Sequence, residues 1–333
     1  MNVLLWHVHG SWTTAMVQGP HTYLLPTLPE RGPGGEGRAR TWDWPASAVE
    51  VTPIEAREAD IDVVIVQRPQ ELAEEVWRWT GRRPGRDLPT VYLEHDTPPD
   101  AVGRVRHPAA DRSDLTVVHV THFNDVMWDT GSTPTVVVEH GIVDPGYRFA
   151  GDLPRAAFVA NEPVRRWRTM GTDLLPRFRE VVPVDAFGMV SEAIGGQDVS
   201  QHELHDLLAR RRVYLHPVRW TSLGLSLLEA MHLGLPVVAL AATEVIEAVP
   251  PGAGVVSTDV DRLVAAARRY VQDPDEARET GRAARAAALG RYGLGRFLAD
   301  WDRVLDAAVA DHRRQPASKA AAGTGHLSRG ESR

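Results

Sequence analysis

One carboxylate stands out in the sequence because it lies in a long apolar stretch. Glu229 is flanked by Leu228 and Ala230 in RWTSLGLSLLEAMHLGLPVVAL, which spans residues 219–240. A charged side chain is seldom buried unless a partner or hydrogen-bond donors compensate for its lost hydration. The sequence therefore predicts that Glu229 has either a protein partner or a ligand that carries donor groups.

The residues around this carboxylate indicate a strand, a loop, a helix and a second strand. VYLHP ends at Pro217, VRWTSLG forms the loop, and LSLLEAMHL forms a helix that Gly234 terminates. Glu229 is then expected close to the amino end of its helix, where free N–H groups and the helix dipole favour an anion. A diphosphate bound there would bring an attached ribose within reach of the carboxylate, which accepts hydrogen bonds from hydroxyl groups.

A second polar turn, HVHGSWTTA, follows the first apolar run of the chain. Gly10 and Ser11 are candidates for contact with a diphosphate, and the alternative is an ordinary turn between a strand and a helix. His7 and His9 have a spacing that could ligate a metal ion, but no third ligand is apparent. We therefore predict no metal site.

Four further side chains have both a functional and a structural interpretation. Trp12 and Trp220 flank the two loops, where they could stack on a sugar or a base, although most tryptophans serve packing. His202 and His205 are three residues apart on one helix, and we predict that they lie on its solvated face.

Length and composition restrict the class of protein. The 333 residues are 43% hydrophobic and 24% charged, which is typical of a globular chain of two domains. Cysteine is absent, which excludes disulfides and thiolate-bound zinc. A net charge of −7 argues against nucleic acid as the partner, and no segment has the ~20 apolar residues of a membrane span. The amino terminus lacks a basic segment and is predicted to be a strand, so we expect the cytoplasm.

Short apolar runs alternate with helical segments in both halves of the chain, which indicates parallel α/β sheets. The runs of the first half are VLLWHV, IDVVIVQ, TVYLEH, LTVVHV and TVVVEH, and those of the second half are AAFVA, EVVPVD, RVYLHP, PVVAL and AGVV. Gly and Pro accumulate between them. The prediction is therefore one domain over 1–144, a second over 145–314, and a disordered tail over 315–333, with ligands bound at the carboxyl ends of the strands.

LGLSLLEAMHLGLPVVAL resembles the donor-site signature of GT-B glycosyltransferases related to glycosyltransferase family 4, which is usually E-G-F-G-L-x-x-x-E-A-M-x-x-G-x-P-V-V. Glu229 occupies the position of the second glutamate, and Gly224 and Leu225 match the pattern. Thr221 replaces the first glutamate, and Ser222 replaces a glycine. The resemblance implies that Glu229 binds the ribose of a nucleotide sugar and that Thr221 stands where the family contacts the transferred sugar.

The resemblance extends to weaker motifs. VYLEHDTPP is similar to the V-H-D motif of the first domain, which implies that His95 and Asp96 are a catalytic pair near the acceptor; the alternative is a histidine at a strand end that bonds to the backbone. ATEVIE lies where the family often has V-G-G-x-P-E, so Glu247 matches a donor-site glutamate. The family's phosphate clamp uses an arginine and a lysine, but NEPVRRWRTMGTDLLPRF has Met170 in place of the lysine. The nearest basic substitutes, which suit diphosphate oxygens, are Arg165, Arg166 and Arg168.

The resemblance implies a GT-B fold, with two Rossmann-like domains, a cleft between them, and a last helix that crosses back to the first domain. It implies transfer of a sugar from a nucleotide-diphosphate sugar to an unidentified acceptor, with retention and without a metal or other cofactor. Two alternatives remain open: a catalytically silent protein that binds a nucleotide sugar or a partner, and a nucleotide-sugar epimerase. The sequence does not indicate the oligomeric state.

Overall fold

Two parallel sheets follow one another along the chain in the computed structural model, which describes residues 1–314. The first sheet has the strand order β3-β2-β1-β4-β5-β6-β7. Its strands are β1 (Asn2–Leu5), β2 (Thr22–Pro26), β3 (Ala48–Val51), β4 (Val63–Val66), β5 (Thr90–Glu94), β6 (Thr116–His119) and β7 (Thr135–Val137). The five predicted runs form β1 and β4–β7, whereas β2 and β3, which extend one edge, were not predicted.

The second sheet has the order β12-β11-β10-β8-β9, and all its strand pairs are parallel. Its strands are β8 (Leu153–Val159), β9 (Val184–Phe187), β10 (Arg211–His216), β11 (Val237–Leu240) and β12 (Gly254–Ser257). All five overlap predicted runs, which share an apolar stretch between turn residues, but the run EVVPVD was placed too early and shares only Val184 and Asp185 with β9. The α/β prediction with two parallel sheets is confirmed.

Helices connect the strands and cover both sheets. Those of the first half are α1 (Gly10–Met16), α2 (Pro53–Glu58), α3 (Val76–Thr80) with a π-helical turn before it (Glu71–Glu75), and α4 (His122–Met127). Those of the second half are α5 (Leu175–Arg179), α6 (Gln201–Arg210), α7 (Leu225–Leu233), α8 (Val245–Ala248), α9 (Val260–Gln272), α10 (Pro274–Tyr292) and α11 (Leu294–Arg314). Gly234 ends α7 in the left-handed conformation at φ 92°, as predicted.

The last helix returns to the first domain. Phe297, Trp301 and Leu305 of α11 are fully buried in a cluster that also contains β1 and β5 residues. By its place in the chain this segment was assigned to the second domain, but its apolar face packs on the first. The crossing that the resemblance implied is therefore present. The predicted disordered tail lies outside the described residues.

Candidate active site

Glu229 lies where the two domains meet, and each of its carboxylate oxygens has a protein partner. It is the fifth residue of α7, one turn from the amino end, and only 4% of it is exposed. The Ser11 hydroxyl, in the first domain, donates to Oε1 over 2.7 Å. The Gln201 amide, on α6, donates to Oε2 over 2.6 Å. These donors replace the water that the buried carboxylate has lost, so it is hydrogen-bonded on both sides.

His205 belongs to the same cluster, and its predicted exposure is wrong. It is 8% exposed, and its Nε2 lies 2.9 Å from the Gln201 amide nitrogen and 3.6 Å from Glu229 Oε2. Gln201 and His205 are one helical turn apart, on the face of α6 that packs against α7. The spacing of the two histidines alone does not predict which face of α6 packs against α7.

The loop before α7 also joins the two domains. Ser222 is buried, and its hydroxyl donates to the backbone carbonyl of His95 over 2.5 Å. The indole N–H of Trp220 donates to the carbonyl of Pro98 over 3.0 Å. Thr221, between them, is half-buried, and its hydroxyl forms no hydrogen bond to another residue within 1–314. The loop before α7 and the turn HVHGSWTTA, which contains Ser11, therefore both reach the interface between the two domains.

Gly224 and Leu225 begin α7 at this interface. Leu225 packs against the apolar clusters of both domains. A Cβ on Gly224 would lie 2.7 Å from Cε1 of His216, at the end of β10. His216 is buried, which lowers its pKa to about 4, so the neutral ring packs directly against the Gly224 backbone.

Substitution of Gly224 by alanine is therefore expected to destabilise the second domain by about 1 kcal/mol or more, because the added methyl group would clash with the buried His216 ring. Urea unfolding measures the change. The matched control is Gly290→Ala in α10, where no atom lies within 4 Å of the added Cβ and alanine favours the helix. Equal stabilities of the two variants would contradict the close contact.

Three histidines form a column at the carboxyl edge of the first sheet. The His9 and His95 rings have centroids 4.0 Å apart, and His95 stacks on His140 at 6.2 Å. The Gln67 side-chain oxygen lies 3.1 Å from His95 Nε2. Burial lowers the pKa of His140 to about 3 and holds the pKa of His95 well below its usual value, so both rings are neutral at pH 7.

The other predicted residues of this edge have different environments. Asp96 is exposed, whereas its neighbour His95 is buried, so His95 contributes to the site through its backbone carbonyl and its ring contacts. Trp12 is 1% exposed and packs edge-on against Trp301 at 5.4 Å. It is a core residue and cannot stack on a sugar. Gly10 begins α1, one residue before Ser11.

The three candidate clamp arginines differ in their partners. Arg165 pairs with Glu162, and Arg168 pairs with Asp173 at 3.2 Å; both arginines are largely exposed. Arg166 is half-buried and has no ion pair with any residue that the structure describes. Of the three, only Arg166 forms no ion pair within residues 1–314, although Glu162, the partner of Arg165, also interacts with it electrostatically. The phosphate clamp itself stays a prediction.

Glu244 joins the domains where the resemblance pointed to Glu247. The Glu247 side chain is exposed, but Glu244 is 2% exposed, and its Oε2 accepts from the backbone N–H of Phe123 over 2.8 Å. Arg291 lies 3.3 Å from the other oxygen of Glu244. Thr243, just before it, has φ 51°, a left-handed conformation that is costly for a β-branched residue. Glu244 stands where the family pattern has a glycine, so no motif predicted this contact.

The part of the chain that the structure describes contains neither a metal-binding cluster nor a membrane-spanning helix. Residues 1–314 contain no group of three histidine, aspartate or glutamate side chains arranged to hold a metal ion. In the same range, no helix has the length and apolar character needed to cross a lipid bilayer.

A comparison with known protein families matches the segment of the chain that carries Glu229. Residues 193–287, which include α6, α7 and Glu229, match the family model described as glycosyl transferases group 1. No curated protein sequence matches the chain.

Several solved structures have the same fold. Sucrose-phosphate synthase from Thermosynechococcus elongatus superposes with a TM-score of 0.68 at 14% identity, over 93% of this chain and 99% of that one. HepE of Anabaena, solved with UDP and glucose, has a TM-score of 0.67 at 14% identity, over 92% and 100%. A glycosyltransferase from Rickettsia africae has a TM-score of 0.61 at 11% identity, over 92% and 98%. The chain thus has the fold of GT-B glycosyltransferases, and its residues 193–287 match glycosyl transferases group 1.

Proposed function

We propose that the protein is a glycosyltransferase that moves a sugar from a nucleotide-diphosphate sugar to an acceptor hydroxyl. The observation that carries this proposal is the position of Glu229: a buried carboxylate on α7, inside the matched segment, at the boundary with the first domain. A buried carboxylate whose partners are neutral donors suits the hydroxyl groups of a ribose, which are donors of the same kind.

Donor binding must replace existing contacts. Ser11 and Gln201 occupy the two oxygens of Glu229, so a ribose would displace at least the Ser11 hydroxyl as the two domains separate. The diphosphate would then lie at the amino end of α7, near Thr221, Ser222 and Gly224. Closure around the donor would exclude water, which otherwise hydrolyses it, and the fixed dipoles would stabilise the leaving diphosphate.

UDP and UDP-glucose are the first probes, because the similar HepE structure contains UDP and glucose. Calorimetry with UDP tests the nucleotide site. Analysis of the product anomer by NMR tests retention, which the family resemblance implies. We propose that the reaction needs no metal or cofactor besides the donor and the acceptor, and the cytoplasmic location stays a prediction.

Arg166→Ala is expected to weaken UDP binding, and to do so more at low than at high ionic strength, because dissolved ions screen the attraction between the half-buried, partly solvent-accessible guanidinium and the diphosphate. Arg165→Ala is the matched control, since Glu162 already neutralises that arginine. Calorimetric titration at two salt concentrations measures both variants. A loss that is independent of salt, or equal in the two variants, would contradict a role for Arg166 in the clamp.

A second function, binding of a nucleotide sugar without turnover, is favoured by two substitutions. Thr221 stands where the family pattern has a glutamate, and Met170, where it has a lysine, is buried and uncharged. UDP-glucose that binds but releases no UDP, with or without added sugar acceptors, would support this function. Conversion of the bound donor into an epimer would instead indicate an epimerase.

A further inference from the structure

Gln67 belongs to a row of hydrogen-bonded residues along the carboxyl edge of the first sheet. Trp6, Gln67 and His95 each follow the last residue of a strand, which is β1, β4 and β5 respectively. These strands are neighbours in the sheet, so the three residues lie side by side at the edge that meets the second domain. Gln67 is buried there, and no sequence motif pointed to it.

A backbone carbonyl determines the orientation of the Gln67 amide. Nε2 of Gln67 donates to the carbonyl oxygen of Trp6 over 2.8 Å. The reversed amide would place two oxygens, which can only accept, against each other at this distance. The side-chain oxygen of Gln67 therefore faces the other way, where it lies 3.1 Å from Nε2 of His95. Only this orientation satisfies both neighbours.

The orientation of the amide fixes the position of the hydrogen on the His95 ring. A carbonyl oxygen accepts and never donates, so Nε2 of His95 must carry the hydrogen. Burial holds the pKa of His95 well below its usual value, and the neighbouring His9 and His140 also lower it. The ring is therefore neutral at pH 7 and has one N–H group. Nδ1 is left with a lone pair that can accept a hydrogen bond.

Nδ1 of His95 can be reached by a bound molecule. It forms no hydrogen bond within residues 1–314, and it is not fully enclosed, in contrast to Nδ1 of His140. The backbone oxygen of His95 accepts from Ser222 over 2.5 Å, so this residue lies beside the loop before α7. The diphosphate of the proposed donor would lie near the same loop. A hydroxyl group of the attached sugar could therefore meet Nδ1.

A buried carboxylate holds the backbone of Gln67 in place. Glu71 is fully buried in the π-helical turn after β4, and its Oε2 accepts from the backbone N–H of Gln67 over 2.6 Å. Its other oxygen accepts from Nε of Arg68 over 2.6 Å, so both oxygens have partners. Turns of this π-helical type occur frequently at functional sites. The backbone and the side chain of Gln67 are thus both held by the protein itself.

We propose that Gln67 is a positioning residue, which holds His95 in the tautomer with hydrogen on Nε2 and keeps Nδ1 as an acceptor for a substrate hydroxyl. Nδ1 then binds a hydroxyl group but repels the oxygens of a phosphate or a carboxylate, which only accept. The arrangement therefore directs a sugar hydroxyl, and not the diphosphate, toward His95. This inference rests on the proposed glycosyltransferase function.

The experiment compares the full-length wild type with Gln67→Met and with a control, Gln70→Met, whose side chain is exposed. Nitrogen NMR of the histidine rings shows which nitrogen of His95 carries the hydrogen, and the His95 signals are assigned by their loss from His95→Gln. We expect hydrogen on Nε2 in the wild type and in the control. Methionine has a similar length but offers no amide oxygen, so in Gln67→Met the His95 ring should exchange between its two tautomers.

Binding measurements test what the tautomer does for the substrate. Calorimetry with UDP and with UDP-glucose gives the ratio of the two affinities for each protein. Gln67→Met should bind UDP-glucose about two- to tenfold more weakly than the wild type, as for one lost neutral hydrogen bond, and should bind UDP equally well. Gln70→Met should match the wild type for both ligands. A merely structural role of Gln67 would weaken both ligands alike, which would overturn the proposal.

The wild type by itself also tests the proposal, whether or not Gln67→Met folds. Hydrogen on Nδ1 of His95, or an Nδ1 signal that UDP-glucose shifts no more than UDP does, would overturn it. So would unchanged ring signals or an unchanged ratio of affinities in a folded Gln67→Met. A wild type that binds neither compound contradicts the proposed function as well, whereas normal binding of both by Gln67→Met contradicts only the role of Gln67.

Discussion

Substitution of Trp301 by alanine is expected to lower the free energy of unfolding of the first domain by about 3–5 kcal/mol, as for other buried tryptophans. Trp301 lies on α11 and is fully buried. Its ring packs edge-on against Trp12 at 5.4 Å and against Phe297 at 6.3 Å. Removal of the indole leaves a cavity in the core and also detaches the helix that connects the end of the chain to the first domain.

Urea unfolding followed by circular dichroism measures this loss. Trp77→Ala is the matched control: the residue type is the same, but 58% of Trp77 is exposed on α3, so a much smaller change is expected. Comparable losses in the two variants would show that the last helix does not stabilise the first domain.

Substitution of Glu229 by glutamine is expected to weaken UDP binding by about 1.5–3 kcal/mol, the usual contribution of a hydrogen bond to a charged group. The variant should stay folded. A glutamine oxygen can accept from Gln201, and its amide can donate to the Ser11 hydroxyl, so the present contacts have neutral substitutes. A ribose with two donor hydroxyl groups has only one acceptor left at this position.

Calorimetry with UDP measures the effect, and circular dichroism verifies the fold. The matched control is Glu203→Gln, which removes one negative charge from the exposed side of α6 without touching Glu229. If Glu229→Gln binds UDP as tightly as the control, Glu229 holds only Ser11 and Gln201, and the proposed ribose contact is wrong.

Local patterns were sufficient for most of the elements. Buried parallel strands such as β4 and β11 are continuous apolar runs, so they are visible in the sequence. The bounds of α7 followed from the loop before it and from Gly234 after it. The edge strand β3 carries less of this signal, because it buries only two of its four residues. The inner strand β2 is mostly buried, but its apolar run is short and ends in Pro26. Both were therefore missed.

The sequence by itself determined that Glu229 needs a partner and that its helix belongs to an α/β domain, because both follow from hydration and from short-range periodicity. Only the tertiary structure decided which groups meet it. Ser11 is 218 residues away in the chain, and His205 turned inward instead of facing solvent. The same holds for His9, which acquires its surroundings from strands far apart in sequence. Such contacts depend on how distant strands, helices and the two domains pack, and the local sequence pattern does not encode that arrangement.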